Sequence, residues 1–190
     1  MNYMQIDKAS ISNGLGVRVV LWCAGCTQQC KGCHNQQTWD FNAGKVFDEK
    51  AKLYLFFQLD KPYIKGITFS GGHPLEYQNL PDVYDLIKDI KTKFPNKDIW
   101  LYTGYTLSIS DFDTTIDCGW DNAAIRNYIL AMCDVVVDGP YIEEQRDITL
   151  AFRGSKNQRL IDVKETLNQG KIITLNTSKE LLYKETYYYG

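Results

Sequence analysis

Apolar runs alternate with amphipathic stretches along this chain. The run "GVRVVLWC" (Gly16–Cys23) is β-branched and largely apolar, which predicts a buried strand. "DEKAKLYLFFQL" (Asp48–Leu59) reads as a helix, and "GITFSGG" (Gly66–Gly72) as a second strand ending in a Gly-rich turn. Asn79 is placed to cap the next helix, with Pro81 in its first turn and Val83, Leu86, Ile87 and Ile90 at helical spacing. "DIWLYTG" (Asp98–Gly104) predicts a third strand, "DNAAIRNYIL" (Asp121–Leu130) a helix and "CDVVVDG" (Cys133–Gly139) a fourth strand. "KIITL" (Lys171–Leu175) is a candidate fifth, while the closing "KETYYYG" has no periodicity and receives no role. Internal repeats and low-complexity linkers are absent.

Strands alternating with helices imply parallel βα units, in an open doubly wound sheet or part of a barrel. In both arrangements ligands sit beyond the carboxyl ends of the strands. Four conspicuous motifs fall there: a cysteine-rich loop after the first strand, Ser70-Gly71-Gly72, Thr103-Gly104 and Asp138-Gly139.

The 190 residues have the length of one domain, and 44% hydrophobic with 23% charged residues is ordinary for a chain that buries a core. A net charge of −2 gives no electrostatic support for gripping nucleic acid or an anionic membrane. No apolar run approaches a membrane span, and "MNYMQIDKAS" lacks the apolar stretch of a signal peptide. Cytoplasm is therefore the expected compartment, where thiols stay reduced and disulfides are the weaker reading of clustered cysteines.

"WCAGCTQQCKGCHNQQTW" (Trp22–Trp39) holds four of the six cysteines. Cys26, Cys30 and Cys33 form C-x3-C-x2-C, and Cys23 adds a C-x2-C in front. Three thiolates on one tight loop suit three irons of a 4Fe–4S cube and leave the fourth iron open, as in a reactive rather than a closed structural site. Zinc is the rival: the four cysteines, or three of them with His34, offer a tetrahedral set. The three-residue gap before Cys30 makes wrapping one ion awkward, which favours the open cluster. Cys23 ends an apolar strand, where an inert thiol is the plain expectation, and Cys118 and Cys133 read as core cysteines.

C-x3-C-x2-C after the first strand of a βα protein resembles the radical S-adenosylmethionine (SAM) enzymes. The resemblance implies a partial (β/α) barrel with a parallel sheet, three cluster ligands (Cys26, Cys30, Cys33) and SAM chelated at the open iron. "SGGHP" (Ser70–Pro74) resembles the Gly-Gly-acid-Pro motif that holds the SAM amino group, with His73 where that motif has Asp or Glu. His34 stands where an aromatic residue commonly packs near the adenine. The implied cofactor contacts are Gly32, Cys33, His34, Ser70, Gly71, Gly72 and His73, with Thr103, Gly104 and Asp138 toward the ribose or methionine. Beyond the cluster and SAM the resemblance implies no catalytic side chain.

A longer series of motifs, ending in "FRGSKNQRLIDV", runs from about Asn13 to about Val163. It resembles the activating proteins of anaerobic (class III) ribonucleotide reductases. This implies an activase that generates a glycyl radical on the reductase large subunit, fed by a low-potential donor such as flavodoxin, with no nucleic acid or membrane partner. One radical SAM domain over 1–190 is expected, with its core at about 13–163. The polar block Arg153–Arg159 either holds the last turn of the fold or docks the reductase. Two other functions remain open: a radical SAM enzyme acting on a small molecule such as a modified-nucleoside precursor, and a zinc-stabilised interaction module without catalysis.

Overall fold

The computed structural model describes residues 1–115 and 121–175. Cys118 and the C-terminal "KETYYYG" lie outside the described residues. Seven strands form one sheet: β1 (Asn2–Ser10), β2 (Arg18–Cys23), β3 (Lys45–Val46), β4 (Gly66–Gly71), β5 (Asp98–Tyr102), β6 (Val135–Asp138) and β7 (Arg159–Asp162). Their spatial order is β3-β1-β2-β4-β5-β6-β7. Four helices accompany them: α1 (Glu49–Leu59), α2 (Leu80–Lys93), α3 (Asn122–Met132) and α4 (Val163–Gln169).

The central β2-β4-β5-β6 block is parallel, with Val20 opposite Thr68, Thr68 opposite Trp100 and Trp100 opposite Val135. The sheet as a whole is mixed, which corrects the expectation of a parallel one. β1 pairs antiparallel with β2, β3 with β1, and β7 with β6. Only crossover-connected strands must run parallel, and these flanking strands are not joined through a helix on the same turn of the chain. Lys171–Leu175 forms no strand of its own. It runs beside β7 through a single bridge, Thr174 to Ile161, with Asp162 N donating to Ile173 O at 2.9 Å.

Helix starts follow local chemistry. The carboxylates of Asp48, Asp121 and Asp162 accept from the backbone N–H groups of Ala51, Ala124 and Glu165 at 2.9, 2.8 and 3.0 Å. Asn79 precedes α2 as expected, yet its side chain makes no cap. Its Nδ2 donates instead to Ala24 O (2.9 Å) and His73 O (3.1 Å).

Alternation along the strands sorts two faces. Val19, Leu21, Ile67, Phe69, Ile99, Leu101 and Val136 pack into the larger core, to which all four helices contribute. The other face carries a smaller cluster of Trp100, Val135, Val137 and Leu160, with Phe152 packed edge-on to Trp100 at 5.4 Å and no helical residue. Helices on one face only are not the doubly wound arrangement. Polar groups share this inner face. At the amino end of the strands Arg18 is fully buried, donating to Thr68 Oγ1 (2.8 Å), Ile67 O (2.8 Å) and Leu15 O (3.0 Å) and pairing with Asp98 at 2.5 Å. No helix among the described residues is long and apolar enough to cross a membrane.

Candidate functional site

Beyond the opposite, carboxyl end of the parallel strands lies an open cleft. The loop leaving β2 forms one wall and supplies Cys26, Cys30 and Cys33. All three are half-buried and free of disulfides. The loop is closed on itself by backbone bonds, Gly25 N to Thr38 O (2.7 Å) and Cys26 N to Trp39 O (3.1 Å).

The Ser70–His73 turn forms the floor, and it is stitched to the cysteine loop. Gly72 N donates to Cys23 O at 2.8 Å and His73 N to Gly25 O at 2.7 Å. These contacts explain both glycines. A Cβ on Gly71, whose φ is +102°, lies 2.7 Å from the Cys23 carbonyl oxygen, and one on Gly72 lies 2.5 Å from the Gly25 oxygen. What approaches closely is the backbone of the cysteine loop.

Thr103 and Gly104 after β5 also line the cleft, as the sequence leads one to expect. Three candidate residues stand elsewhere. Asp138 is fully buried at the end of β6, paired with the Arg159 guanidinium and accepting from Leu107 N at 2.9 Å; its neighbour Gly139 lines the cleft instead. Gly32 lies off the lining beside Glu143. His34 packs edge-on against Tyr141 at 5.8 Å, and Tyr141 is the ring that faces the cleft.

Other cysteines are set apart by burial. Cys23 packs in the helix-side core, and burial pushes its thiol up to about 12. Burial raises the Cys133 thiol too, and its Sγ donates to Ile129 O at 3.2 Å. Cys26 is raised less, by burial against the pull of the Gln28 and Gln29 amides. A buried thiol pays dearly to ionise, so Cys23 is a poor ligand candidate beside the three loop cysteines.

Several site residues escaped the sequence reading. Gln28, Asn35 and Trp39 line the cleft from the loop, and Tyr102 from β5. Gln158 does so from the polar block, whose architecture now has an explanation. Its Oε1 accepts from Gly154 N (2.9 Å) and Ser155 N (3.1 Å), and its Nε2 donates to Gly139 O (3.1 Å). Asn157 Nδ2 donates to Pro140 O at 2.7 Å, and the Ser155 hydroxyl accepts from Ile142 N at 3.2 Å. The block therefore clamps the loop that follows β6. Glu76 was missed altogether. Only 3% exposed, it accepts from Thr27 N (2.8 Å), Thr27 Oγ1 (2.7 Å) and His73 Nδ1 (3.2 Å). Burial works against its charge, but these donors outweigh it and hold the carboxyl at about 2.

The donor set tests what the cleft accommodates. A lone tetrahedral ion draws every donor to about 2.3 Å from one point, whereas a cubane takes each thiolate on a different iron. Among the described residues no three His, Cys, Asp or Glu side chains are gathered as one ion requires. Cys26, Cys30 and Cys33, free and half-buried on one loop at the cleft, are a donor set that a cubane could share among its irons.

A family model described as a 4Fe-4S single cluster domain matches residues 12–161. Curated relatives agree. The chain is 39% identical over 160 residues to the anaerobic ribonucleoside-triphosphate reductase-activating protein of Pasteurella multocida, covering 83% of this chain and 95% of that one. It is 39% identical to the protein of that name in Vibrio cholerae and 36% to that in Escherichia coli, each across 83% of this chain and 96% of the relative. The chain belongs to this family. The matched span 12–161 contains every cleft residue from Cys26 to Gln158, and the family model makes the metal cofactor iron–sulfur.

Proposed function

We propose that the chain is a radical SAM activase that generates the glycyl radical on anaerobic ribonucleotide reductase. One observation carries the reading: the three spaced cysteines and the Gly-Gly turn, 37 positions apart at Cys33 and Ser70, meet in one cleft at the carboxyl ends of parallel strands. Helices on a single face of the sheet support a partial barrel around that cleft.

Cys26, Cys30 and Cys33 would hold a 4Fe–4S cluster, leaving one iron open because Cys23 is buried in the core. Bound there and reduced, such a cluster would supply the one electron that splits SAM into methionine and a 5′-deoxyadenosyl radical, the chemistry needed to take a hydrogen atom from a glycine of the reductase large subunit. This chain's residues position and shield. The turn amides of Gly72 and His73 already donate to the cysteine loop, so contact with a ligand's ammonium group would fall to carbonyl oxygens of the turn. Ser70, Thr103 and Gly104 edge the same surface, and Tyr141, backed by His34, offers an aromatic ring. Asp138 orients Arg159 behind the cleft rather than touching a ligand. No acid–base group is required for hydrogen-atom transfer, so holding reactants in register and excluding water is the protein's contribution. A low-potential donor such as flavodoxin and a cytoplasmic setting complete the proposal.

Anaerobic reconstitution with iron and sulfide, then dithionite and SAM, is expected to release 5′-deoxyadenosine. With the reductase large subunit present, an electron paramagnetic resonance (EPR) doublet from a glycyl radical should appear. Cys30→Ala should abolish both signals; unchanged deoxyadenosine yield in that variant overturns the reading. SAM cleavage without the doublet would point to a small-molecule substrate instead, and one zinc without iron in anaerobically purified protein to an interaction module.

A further inference from the structure

We propose that Glu76 and His73 act as one positioning unit, a carboxylate–imidazole pair that sets the cysteine loop against the Gly-Gly turn and fixes the cleft edge at Thr103. The proposal rests on the reading of the cleft as a SAM site and adds to it two residues that work through others.

The geometry is a continuous chain of hydrogen bonds. Tyr105 N donates to Thr103 Oγ1 at 3.2 Å, and that hydroxyl lies 2.7 Å from His73 Nε2. His73 Nδ1 lies 3.2 Å from Glu76 Oε1, which also takes both donors of Thr27. A carboxylate only accepts, so Nδ1 carries a proton toward Glu76, and in the neutral ring Nε2 is the acceptor for the Thr103 hydroxyl. Every group is satisfied in that tautomer. The His73 ring is 1% exposed and packs edge-on against Tyr105 at 4.5 Å.

Three separate chain segments converge on this pair. Thr27 directly follows the first loop cysteine, His73 ends the turn after β4, and Thr103 follows β5. Asn79 adds a fourth tie by donating to both Ala24 O and His73 O. The buried carboxylate is thus the side-chain link that joins the backbone bonds and Asn79 in holding cysteine loop and turn together. The acid that the Gly-Gly-acid-Pro pattern places at position 73 is here three residues downstream, with the imidazole as its intermediary. Removing the charge while keeping the shape weakens the bonds to Thr27 and His73, and charge-assisted bonds are roughly twice as strong as neutral ones.

The test compares reconstituted wild type, Glu76→Gln, His73→Asp and the swap His73→Asp/Glu76→His. Iron content is measured first, then the SAM concentration needed to change the EPR spectrum of the reduced cluster. Glu76→Gln should keep wild-type iron yet need about tenfold more SAM, the scale of one charge-assisted hydrogen bond. His73→Asp sets two carboxylates against each other and should be worse. The swap restores a carboxylate–imidazole pair in reversed order and should recover most of the loss. A wild-type midpoint in Glu76→Gln, or a swap no better than His73→Asp alone, overturns the proposal. If Glu76→Gln fails to retain iron, the swap decides in the same way. Should wild type itself show no response to SAM, the functional reading fails first. The pair is then judged by ¹⁵N NMR of the iron-free protein, where Nδ1 protonation lost in Glu76→Gln supports it and an unchanged tautomer refutes it.

Discussion

The two ends of the parallel strands share one inner face and treat polarity in opposite ways. At the amino end Arg18 and Asp98 are locked together, the guanidinium stacked 5.2 Å from the Trp100 ring centre and its donors matched to oxygens. At the carboxyl end the three loop cysteines are left half-buried around an open cleft. A guanidinium taken from water survives only when its donors are matched, and those of Arg18 fill that end. A thiol left partly accessible can still ionise and accept iron, which requires the other end to stay open. Stability and reactivity are thereby assigned to different ends of the same strands.

The sharpest way to break this division is Arg18→Met. It strands the Asp98 carboxyl, whose affinity for protons burial already raises against the pull of Arg18. A loss of about 3 kcal/mol in urea unfolding is expected. Protein that remains folded should still take up iron, and loss of iron without loss of stability would erase the division.

Cys23→Ala probes the boundary between the ends. It removes a fully buried core atom and should cost about 1–2 kcal/mol with iron content unchanged. Iron lost in that variant would move Cys23 from the core to the cluster.

The last test is in acid. The folded-state carboxyl of Glu76 is depressed to about 2 from an ordinary 4.5, so its contribution is complete above about pH 4.5 and drains away as pH falls toward 2. Melting temperatures of iron-free wild type should fall more steeply through that window than those of Glu76→Gln. Parallel curves would show that the carboxylate carries no folding energy.

Legibility tracked how local each signal was. Gly16–Cys23 and Gly66–Gly72 were readable because parallel strands buried on both faces are near-continuous apolar runs. Asp48, Asp121 and the α2 periodicity marked helices through interactions within one or two turns. β1 was missed because "NYMQIDKAS" lies toward the sheet edge with its residues half-buried or exposed, leaving no apolar run to detect. β7 is four residues long and gains its identity only by pairing with β6. In the cleft, the three cysteines of the lining stand out in the sequence by their spacing. Asp138 looked like a ligand because it ends a strand, but its partner Arg159 lies 21 residues further on. Gln158, Tyr141 and Glu76 take their roles from contacts across the sheet, which no short motif encodes.

Arg18 fills the amino end of the inner face, so the cleft belongs to the carboxyl end alone. Under the proposed function, ligand and reductase would approach that same end, and the cleft would have to fill before a protein of that size covers it.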